Sequence, residues 1–137
     1  MATSSDGPSA ARDPAGRGDA DRVLIGEDYY DLANVVGMLL RRFGYDVRLA
    51  HDGPAVLALA RKFRPHFILL DIKMPGMGGY ELAATLRKDD RLKGSVIIGI
   101  SAYRPVAQPG LPMNANFDHY IMKPFDFDAL LAMLKAR

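Results

Sequence analysis

Four short apolar segments of the chain end in side chains that could do chemistry together. These side chains are three carboxylates, one hydroxyl and one ammonium, and they belong to Glu27, Asp28, Asp71, Ser101 and Lys123. Three neighbouring carboxylates would repel one another and raise each other's pKa, and a divalent cation or an ammonium group would relieve that repulsion. Mg²⁺ prefers oxygen ligands of this kind. If the five groups meet, they could support a phosphoryl group carried on a carboxylate.

The segments that must position these groups alternate between strand and helix patterns. Short apolar or alternating runs predict five strands, at residues 23–25, 46–50, 67–70, 96–100 and 120–122. Apolar residues recur at three- and four-residue spacing between these runs, which predicts helices at about 32–43, 53–63, 79–87 and 127–134. Strands that alternate with helices indicate a parallel sheet with right-handed crossovers and helices on both faces. Because the carboxyl ends of parallel strands share one edge of the sheet, we expect the five groups to converge there.

The order and spacing of these residues resemble the receiver domain of two-component response regulators, the CheY-like family. The resemblance rests on the acidic pair Glu27-Asp28, on Ser101-Ala102, on Lys123-Pro124-Phe125 and above all on residues 70–82, LDIKMPGMGGYEL. It covers residues 22–137, and the whole set is specific although each piece alone would be weak. The resemblance implies a flavodoxin-like, doubly wound five-stranded parallel sheet in the order 2-1-3-4-5, with helices on both faces.

The resemblance also implies a role for each acidic residue. Asp71 would accept the phosphoryl group. Asp28 and Asp71 would bind Mg²⁺ directly, together with the backbone carbonyl of Lys73. Glu27 would act through a metal-bound water.

Three further residues acquire roles from the same resemblance. Ser101 would hydrogen-bond a phosphoryl oxygen and move on activation. Lys123 would pair with Asp71 and with the phosphoryl group, and its bond to Pro124 is expected to be cis. Tyr120 occupies the position of the family's switch aromatic, although an aromatic residue there could equally be simple core packing.

One segment departs from the family pattern. Family members carry a helix between the fourth and fifth strands, but here residues 105–113 read PVAQPGLPM. Pro109 and Pro112 would each interrupt a helix, at a cost of about 3 kcal/mol, and Gly110 weakens it further. We therefore predict no continuous α-helix over this segment, so that the fourth helix of the family is short, distorted or missing.

The composition bounds the remaining possibilities. The chain has 137 residues, no cysteine and a net charge of +2, which excludes thiolate chemistry and gives no reason to expect direct nucleic-acid binding. Residues 1–21 are rich in small and polar residues and are expected to form a disordered tail, so the receiver domain would span 22–137. No apolar run is long enough for a membrane span and no signal-peptide pattern is present. The expected location is the cytoplasm.

The sequence thus predicts a phosphoacceptor rather than an enzyme with turnover, although one that assists its own phosphorylation and dephosphorylation. Its expected partners are a histidine kinase or histidine phosphotransfer protein and a downstream protein effector, with homodimerisation possible. A pseudo-receiver, which would bind proteins without phosphotransfer, is the main alternative. A phosphohydrolase with an aspartate nucleophile is disfavoured because those enzymes usually carry a second Asp where this chain has Lys73. Flavin or nucleotide binding is disfavoured because no phosphate-binding loop follows the first strand.

Overall fold

The computed structural model describes residues 20–102 and 116–136. They form one parallel sheet of five strands in the order β2-β1-β3-β4-β5. The strands are β1 (Arg22–Gly26), β2 (Asp46–Ala50), β3 (Phe67–Asp71), β4 (Val96–Ser101) and β5 (His119–Met122). The four helices of the described residues are α1 (Tyr30–Arg42), α2 (Gly53–Phe63), α3 (Gly79–Lys88) and α4 (Phe127–Lys135). The expected flavodoxin-like sheet is confirmed, whereas the prediction for residues 105–113 lies outside the described residues.

Two apolar layers hold the sheet between the helices. Every residue of β3 is buried, as its uninterrupted apolar sequence requires for a central parallel strand. Phe67 and Leu69 face a core shared with residues of α1 and α4, while Ile68 and Leu70 face a second core shared with residues of α2 and α3. Asp71 therefore lies at the end of a strand that is packed on both faces, which fixes its position at the sheet edge.

Local signals in the sequence account for several element boundaries. Asp52 caps α2 by accepting a hydrogen bond from the Ala55 backbone N–H at 2.8 Å, and Asp126 caps α4 by accepting from the Asp128 N–H at 2.9 Å. Gly44 has a φ of 93° directly after α1, a conformation that glycine adopts without strain. These signals mark the C-terminal end of the helix that follows β1 and the N-terminal ends of the helices that follow β2 and β5.

Arg87 on α3 links the helix to the residues that directly precede β4 and β5. Its guanidinium donates to the backbone oxygen of Ser95 at 2.7 Å and of Asn116 at 3.1 Å, and it also pairs with the Asp118 carboxylate. The Asp118 carboxylate accepts in addition from the Ile97 N–H at 2.8 Å. The start of β5 is thereby fixed against β4 and α3.

None of the helices in residues 20–102 and 116–136 has the length and apolar character needed to cross a bilayer.

Candidate functional site

Three carboxylates meet at the carboxyl edge of the sheet. Glu27 follows β1 and Asp71 ends β3, and these two strands are hydrogen-bonded neighbours. One oxygen from each of Glu27, Asp28 and Asp71 lies within 4.8 Å of the others. Glu27 and Asp71 are 2% and 5% exposed, whereas Asp28 is exposed. The arrangement concentrates negative charge, and two of the three carboxylates are largely shielded from water.

Lys123 reaches this acidic cluster from the far end of the chain. Its Nζ lies 3.0 Å from Oε1 of Glu27 and 3.3 Å from Oδ2 of Asp71. The Lys123 backbone N–H donates to the Ser101 carbonyl at 2.7 Å, which continues the β4–β5 pairing by one residue. The Lys123–Pro124 peptide bond is cis. Residues 96 positions apart in sequence, Glu27 and Lys123, are thus brought into one ion pair.

Backbone amides hold the remaining oxygens of the two buried carboxylates. The Tyr29 N–H donates to Oε2 of Glu27 at 3.1 Å, and the Lys73 N–H donates to Oδ1 of Asp71 at 3.1 Å. Each buried acid is therefore oriented by one amide and by the shared ammonium. Asp28, the third member of the cluster, lies on the solvent side.

Burial and the neighbouring Asp71 carboxylate together make Glu27 a weaker acid. The pKa of Glu27 is raised from 4.5 to about 7, mainly by burial and next by a hydrogen bond with Asp71, against the opposing effects of the Tyr29 N–H and Lys123. Burial lowers the pKa of Lys123, but its interactions with Glu27 and Asp71 outweigh burial and raise the pKa overall. The ammonium therefore stays charged and still does not balance the acids. An additional cation would complete the neutralisation.

We expect the metal-free protein to lose stability as the pH rises through the range in which Glu27 ionises. The pKa of Glu27 is about 7 in the folded chain against an ordinary value of 4.5, so the folded state holds a proton that the unfolded state has released. The unfolding free energy should fall between about pH 4.5 and about pH 7, by about 1 to 2 kcal/mol after discounting for solvent screening. Urea unfolding in a chelating buffer at a series of pH values measures this slope.

A Glu27→Gln variant is the control for that titration, because the amide imitates the protonated acid and does not ionise. Its unfolding free energy should change less over the same pH range. An identical pH slope in the variant and the wild type would show that another group is responsible.

Ser101 and Tyr120 lie on the side of the sheet that carries β4 and β5. Ser101 is the last residue of β4 and is 8% exposed. The Tyr120 ring packs against Phe117 with a centroid distance of 4.9 Å, and Phe117 meets Tyr80 of α3 edge-on at 5.8 Å. The sequence analysis identified Tyr120 but neither its ring partner Phe117 nor Tyr80, which packs against Phe117.

Gly99 makes room for these rings. It is the register partner of Tyr120 in the β4–β5 pair, and a Cβ at this position would lie 3.0 Å from ring atoms of both Phe117 and Tyr120. A glycine in the middle of a strand often marks close approach of another group. The isolated glycine within the apolar run of β4 was therefore a sequence signal for the aromatic cluster.

The loop after Asp71 is tied back tightly to the start of α3. The Gly79 N–H donates to the Ile72 carbonyl at 2.8 Å, and the Ile72 N–H donates to the Ile100 carbonyl at 2.9 Å. A Cβ on Gly79 would lie 2.5 Å from the Ile72 Cα and 2.9 Å from its oxygen. Only a glycine lets the helix approach the backbone this closely.

Substitution of Gly79 by alanine is expected to displace the loop that follows the phosphoacceptor candidate Asp71. Because the obstacle is backbone rather than a flexible side chain, we expect a loss of about 1 to 3 kcal/mol in unfolding free energy. Gly78→Ala is the matched control, since a Cβ there meets nothing within 4 Å. Because Gly78 is the N-cap of α3, where alanine is less favourable than glycine, this variant should cost about 0.5 to 1 kcal/mol. Equal losses for the two variants, measured by urea unfolding, would contradict the steric argument.

His51 lies at the edge of the acidic cluster, and the sequence analysis did not single it out for chemistry. Its Nδ1 lies 2.9 Å from the Glu27 carbonyl oxygen, and its ring stacks on Tyr30. His51 directly follows β2, so its position at the carboxyl end of a strand was the available signal. The residues that the sequence singled out for chemistry lie at the same edge, except that Tyr120 is an internal residue of β5.

Comparison with known proteins agrees with this architecture. The family model described as the response regulator receiver domain matches residues 23–135. The DNA-binding response regulator MtrA of Mycolicibacterium paratuberculosis is 34% identical over 116 residues, which are 85% of this chain and 50% of MtrA. The chain thus spans about half the length of this curated relative.

Solved structures lead to the same family. A CheY-like receiver domain protein from Methanospirillum hungatei is 30% identical with a TM-score of 0.78, covering 86% of this chain and 93% of that one. The response regulator TrrA of Thermotoga maritima, solved in complex with Mg²⁺-BeF, is 29% identical with a TM-score of 0.74, covering 85% of this chain and 97% of that one. With the family model matching most of its length and the sheet order and sheet-edge acids described above, this chain belongs to the response regulator receiver domain family.

Proposed function

We propose that this chain is a phosphoacceptor receiver domain of a two-component phosphorelay. Asp71 takes a phosphoryl group from a histidine kinase or a histidine phosphotransfer protein, with Mg²⁺, and the phosphorylated form changes conformation to control a partner. The observation that carries this proposal is the contact of the Lys123 ammonium with both Glu27 and Asp71 at the sheet edge. A solvated surface acid would need neither burial nor such a partner.

The donor set of the acidic cluster fits Mg²⁺. All the side-chain donors are carboxylate oxygens, they lie within 4.8 Å of one another, and their charge exceeds that of Lys123. We assign Asp28 and Asp71 as direct ligands, with the backbone carbonyl of Lys73, and Glu27 as a ligand through water. When bound, Mg²⁺ supplies positive charge that offsets the charge of the phosphoryl oxygens. TrrA, which is 29% identical to this chain, was solved in complex with Mg²⁺-BeF, and this supports the assignment.

The chain's own residues have defined tasks in the transfer. An Asp71 carboxylate oxygen forms the new bond to phosphorus, and the bond between phosphorus and the donor nitrogen breaks with its electron pair leaving on the imidazole. The Lys73 N–H holds the other Asp71 oxygen at 3.1 Å, which fixes the direction of attack. The Lys123 ammonium, 3.3 Å from Asp71, offsets the charge that accumulates on the phosphoryl oxygens.

Ser101 and Tyr120 are proposed to report the phosphorylated state. Ser101 ends β4 next to the strand that carries Asp71, so its hydroxyl can move toward a phosphoryl oxygen. Tyr120 lies against Phe117 over the space left by Gly99, and a turn of its ring would change the surface beside β5. The two positions form a two-state element that a ligand on Asp71 can bias.

The partners follow from the same proposal. The domain, which we place at residues 22–137, receives its phosphoryl group from the kinase or phosphotransfer protein and acts on a downstream protein effector. A second copy of the chain is a further proposed partner. MtrA is named as DNA-binding, but this chain matches only half of it, and we assign no nucleic-acid contact to the receiver itself. The domain is not an enzyme that turns over a separate substrate.

Incubation with a small acyl phosphate and Mg²⁺ tests this proposal. We expect one added phosphoryl group per chain by intact-mass spectrometry and none in the presence of a chelator. Borohydride reduction of the acyl phosphate, followed by peptide mapping, should locate the modification at Asp71. A chain that stays unmodified by the acyl phosphate and by several histidine phosphotransfer proteins would favour the pseudo-receiver, which binds partners without phosphotransfer.

A further inference from the structure

His51 contacts the loop that carries Asp28. Its Nδ1 lies 2.9 Å from the Glu27 carbonyl oxygen, and a carbonyl oxygen can only accept a hydrogen bond. The proton must therefore be on Nδ1, and His51 acts as the donor. The Glu27 N–H, on the other side of the same residue, donates to the Ala50 carbonyl at 3.0 Å. The end of β2 thus holds both backbone groups of Glu27.

The same imidazole also contacts Tyr30, which lies two residues after Asp28. The Tyr30 ring stacks on His51 with a centroid distance of 3.7 Å and an interplanar angle of 15°. Tyr30 is the first residue of α1, and no side-chain cap secures that end of the helix. His51 therefore fixes Glu27 through a hydrogen bond and Tyr30 through ring stacking, and Asp28 lies between these two attachment points.

We propose that His51 is a positioning residue that orients Asp28 for Mg²⁺ binding and hence for phosphoryl transfer. This inference rests on the proposed function. Asp28 is the exposed member of the acidic cluster, so its carboxylate depends on the backbone on either side for its direction. Groups that orient metal ligands typically change metal affinity about 10- to 100-fold when removed. His51 acts one step further from the metal, so the lower end of that range applies.

Two substitutions separate the contributions of His51. His51→Phe keeps a ring to stack on Tyr30 but removes the N–H donor, whereas His51→Asn keeps an N–H near the place of Nδ1 but removes the ring. Titration calorimetry with MgCl₂ on the unphosphorylated protein should show about tenfold weaker binding for His51→Phe and a smaller loss for His51→Asn. Phosphorylation by an acyl phosphate should recover in both variants at saturating Mg²⁺, because only the binding step is impaired.

Two measurements on the metal-free protein extend the test. Nitrogen NMR shifts of the His51 ring should identify Nδ1 as the protonated nitrogen. The Tyr29 amide, which donates to Glu27, should exchange with solvent faster in His51→Phe than in the wild type. A proton on Nε2 alone would overturn the proposal directly.

His66 offers a matched control. It precedes β3 at the opposite edge of the sheet, and its Nδ1 accepts from the Arg22 N–H at 2.9 Å. His66→Phe should lower stability without changing the Kd for Mg²⁺. If the wild type binds Mg²⁺ and His51→Phe binds it equally well, this inference fails and the proposed function stands. A wild type that neither binds Mg²⁺ nor accepts a phosphoryl group overturns both.

Discussion

Asp71→Asn is expected to abolish phosphorylation while preserving the fold. The asparagine amide has nearly the same shape as the carboxylate but is not a nucleophile toward phosphorus, so no acyl phosphate can form. Intact-mass spectrometry after incubation with acyl phosphate and Mg²⁺ should show no added phosphoryl group. Asp52→Asn is the matched control, because Asp52 caps α2 and does not belong to the acidic cluster, and this variant should be labelled as the wild type is.

The stability of the Asp71→Asn variant adds a second readout. Asp71 raises the pKa of Glu27 through a hydrogen bond and through its charge, so its neutralisation relieves repulsion and leaves Lys123 to Glu27 alone. We expect the unfolding free energy near neutral pH to remain within about 1 kcal/mol of the wild type or to rise. A large loss would mean that the Lys123–Asp71 pair stabilises the fold more than the two acids destabilise it.

Lys123→Met is expected to move metal binding and phosphoryl transfer in opposite directions. The ammonium occupies the space between Glu27 and Asp71 and competes with Mg²⁺ for their charge, so the variant should bind Mg²⁺ about tenfold more tightly. Phosphorylation should nevertheless slow by about 100- to 1,000-fold at saturating Mg²⁺, because removal of one preorganised donor to a transition-state oxyanion has that effect.

Calorimetry with MgCl₂ and quenched-flow labelling with acyl phosphate measure the two effects separately. Lys93→Met is the matched control, since Lys93 forms an exposed pair with Asp90 far from the acidic cluster. It should leave both quantities unchanged. Weaker Mg²⁺ binding in Lys123→Met would indicate that Lys123 organises the acids rather than competing for them. An unchanged labelling rate would remove Lys123 from the transfer step.

The position of the acidic cluster could be predicted from the sequence because two strong rules apply to it. The uninterrupted apolar run before Asp71 indicates a central parallel strand, and parallel strands bring their carboxyl ends to one edge. Glu27 and Lys123 follow other strands of the same sheet, so their approach to Asp71 could be predicted without knowing how the helices pack. The sheet order itself came from the family resemblance rather than from the residue pattern.

The finer features of the site could not be predicted because they depend on packing between distant elements. The position of His51 after β2 and the isolated Gly99 in β4 are signals that other groups approach there, but the residue pattern does not show which side chains make the contacts. Those contacts depend on how far each loop extends beyond its strand. The short 3₁₀ turn at Asp90–Leu92 was missed as well, since three residues carry too little periodicity to be recognised.

The outer strands of the sheet bear on how the protein behaves at high concentration. An edge strand with free amide and carbonyl groups can recruit the edge of another molecule and begin aggregation. β5 pairs over only four residues, from His119 to Met122, and Pro124, which has no N–H to offer, follows soon after. On the opposite side β2 displays the Arg48–Asp46 ion pair. Both edge strands therefore disfavour strand pairing between molecules, and this should limit aggregation of the protein at high concentration.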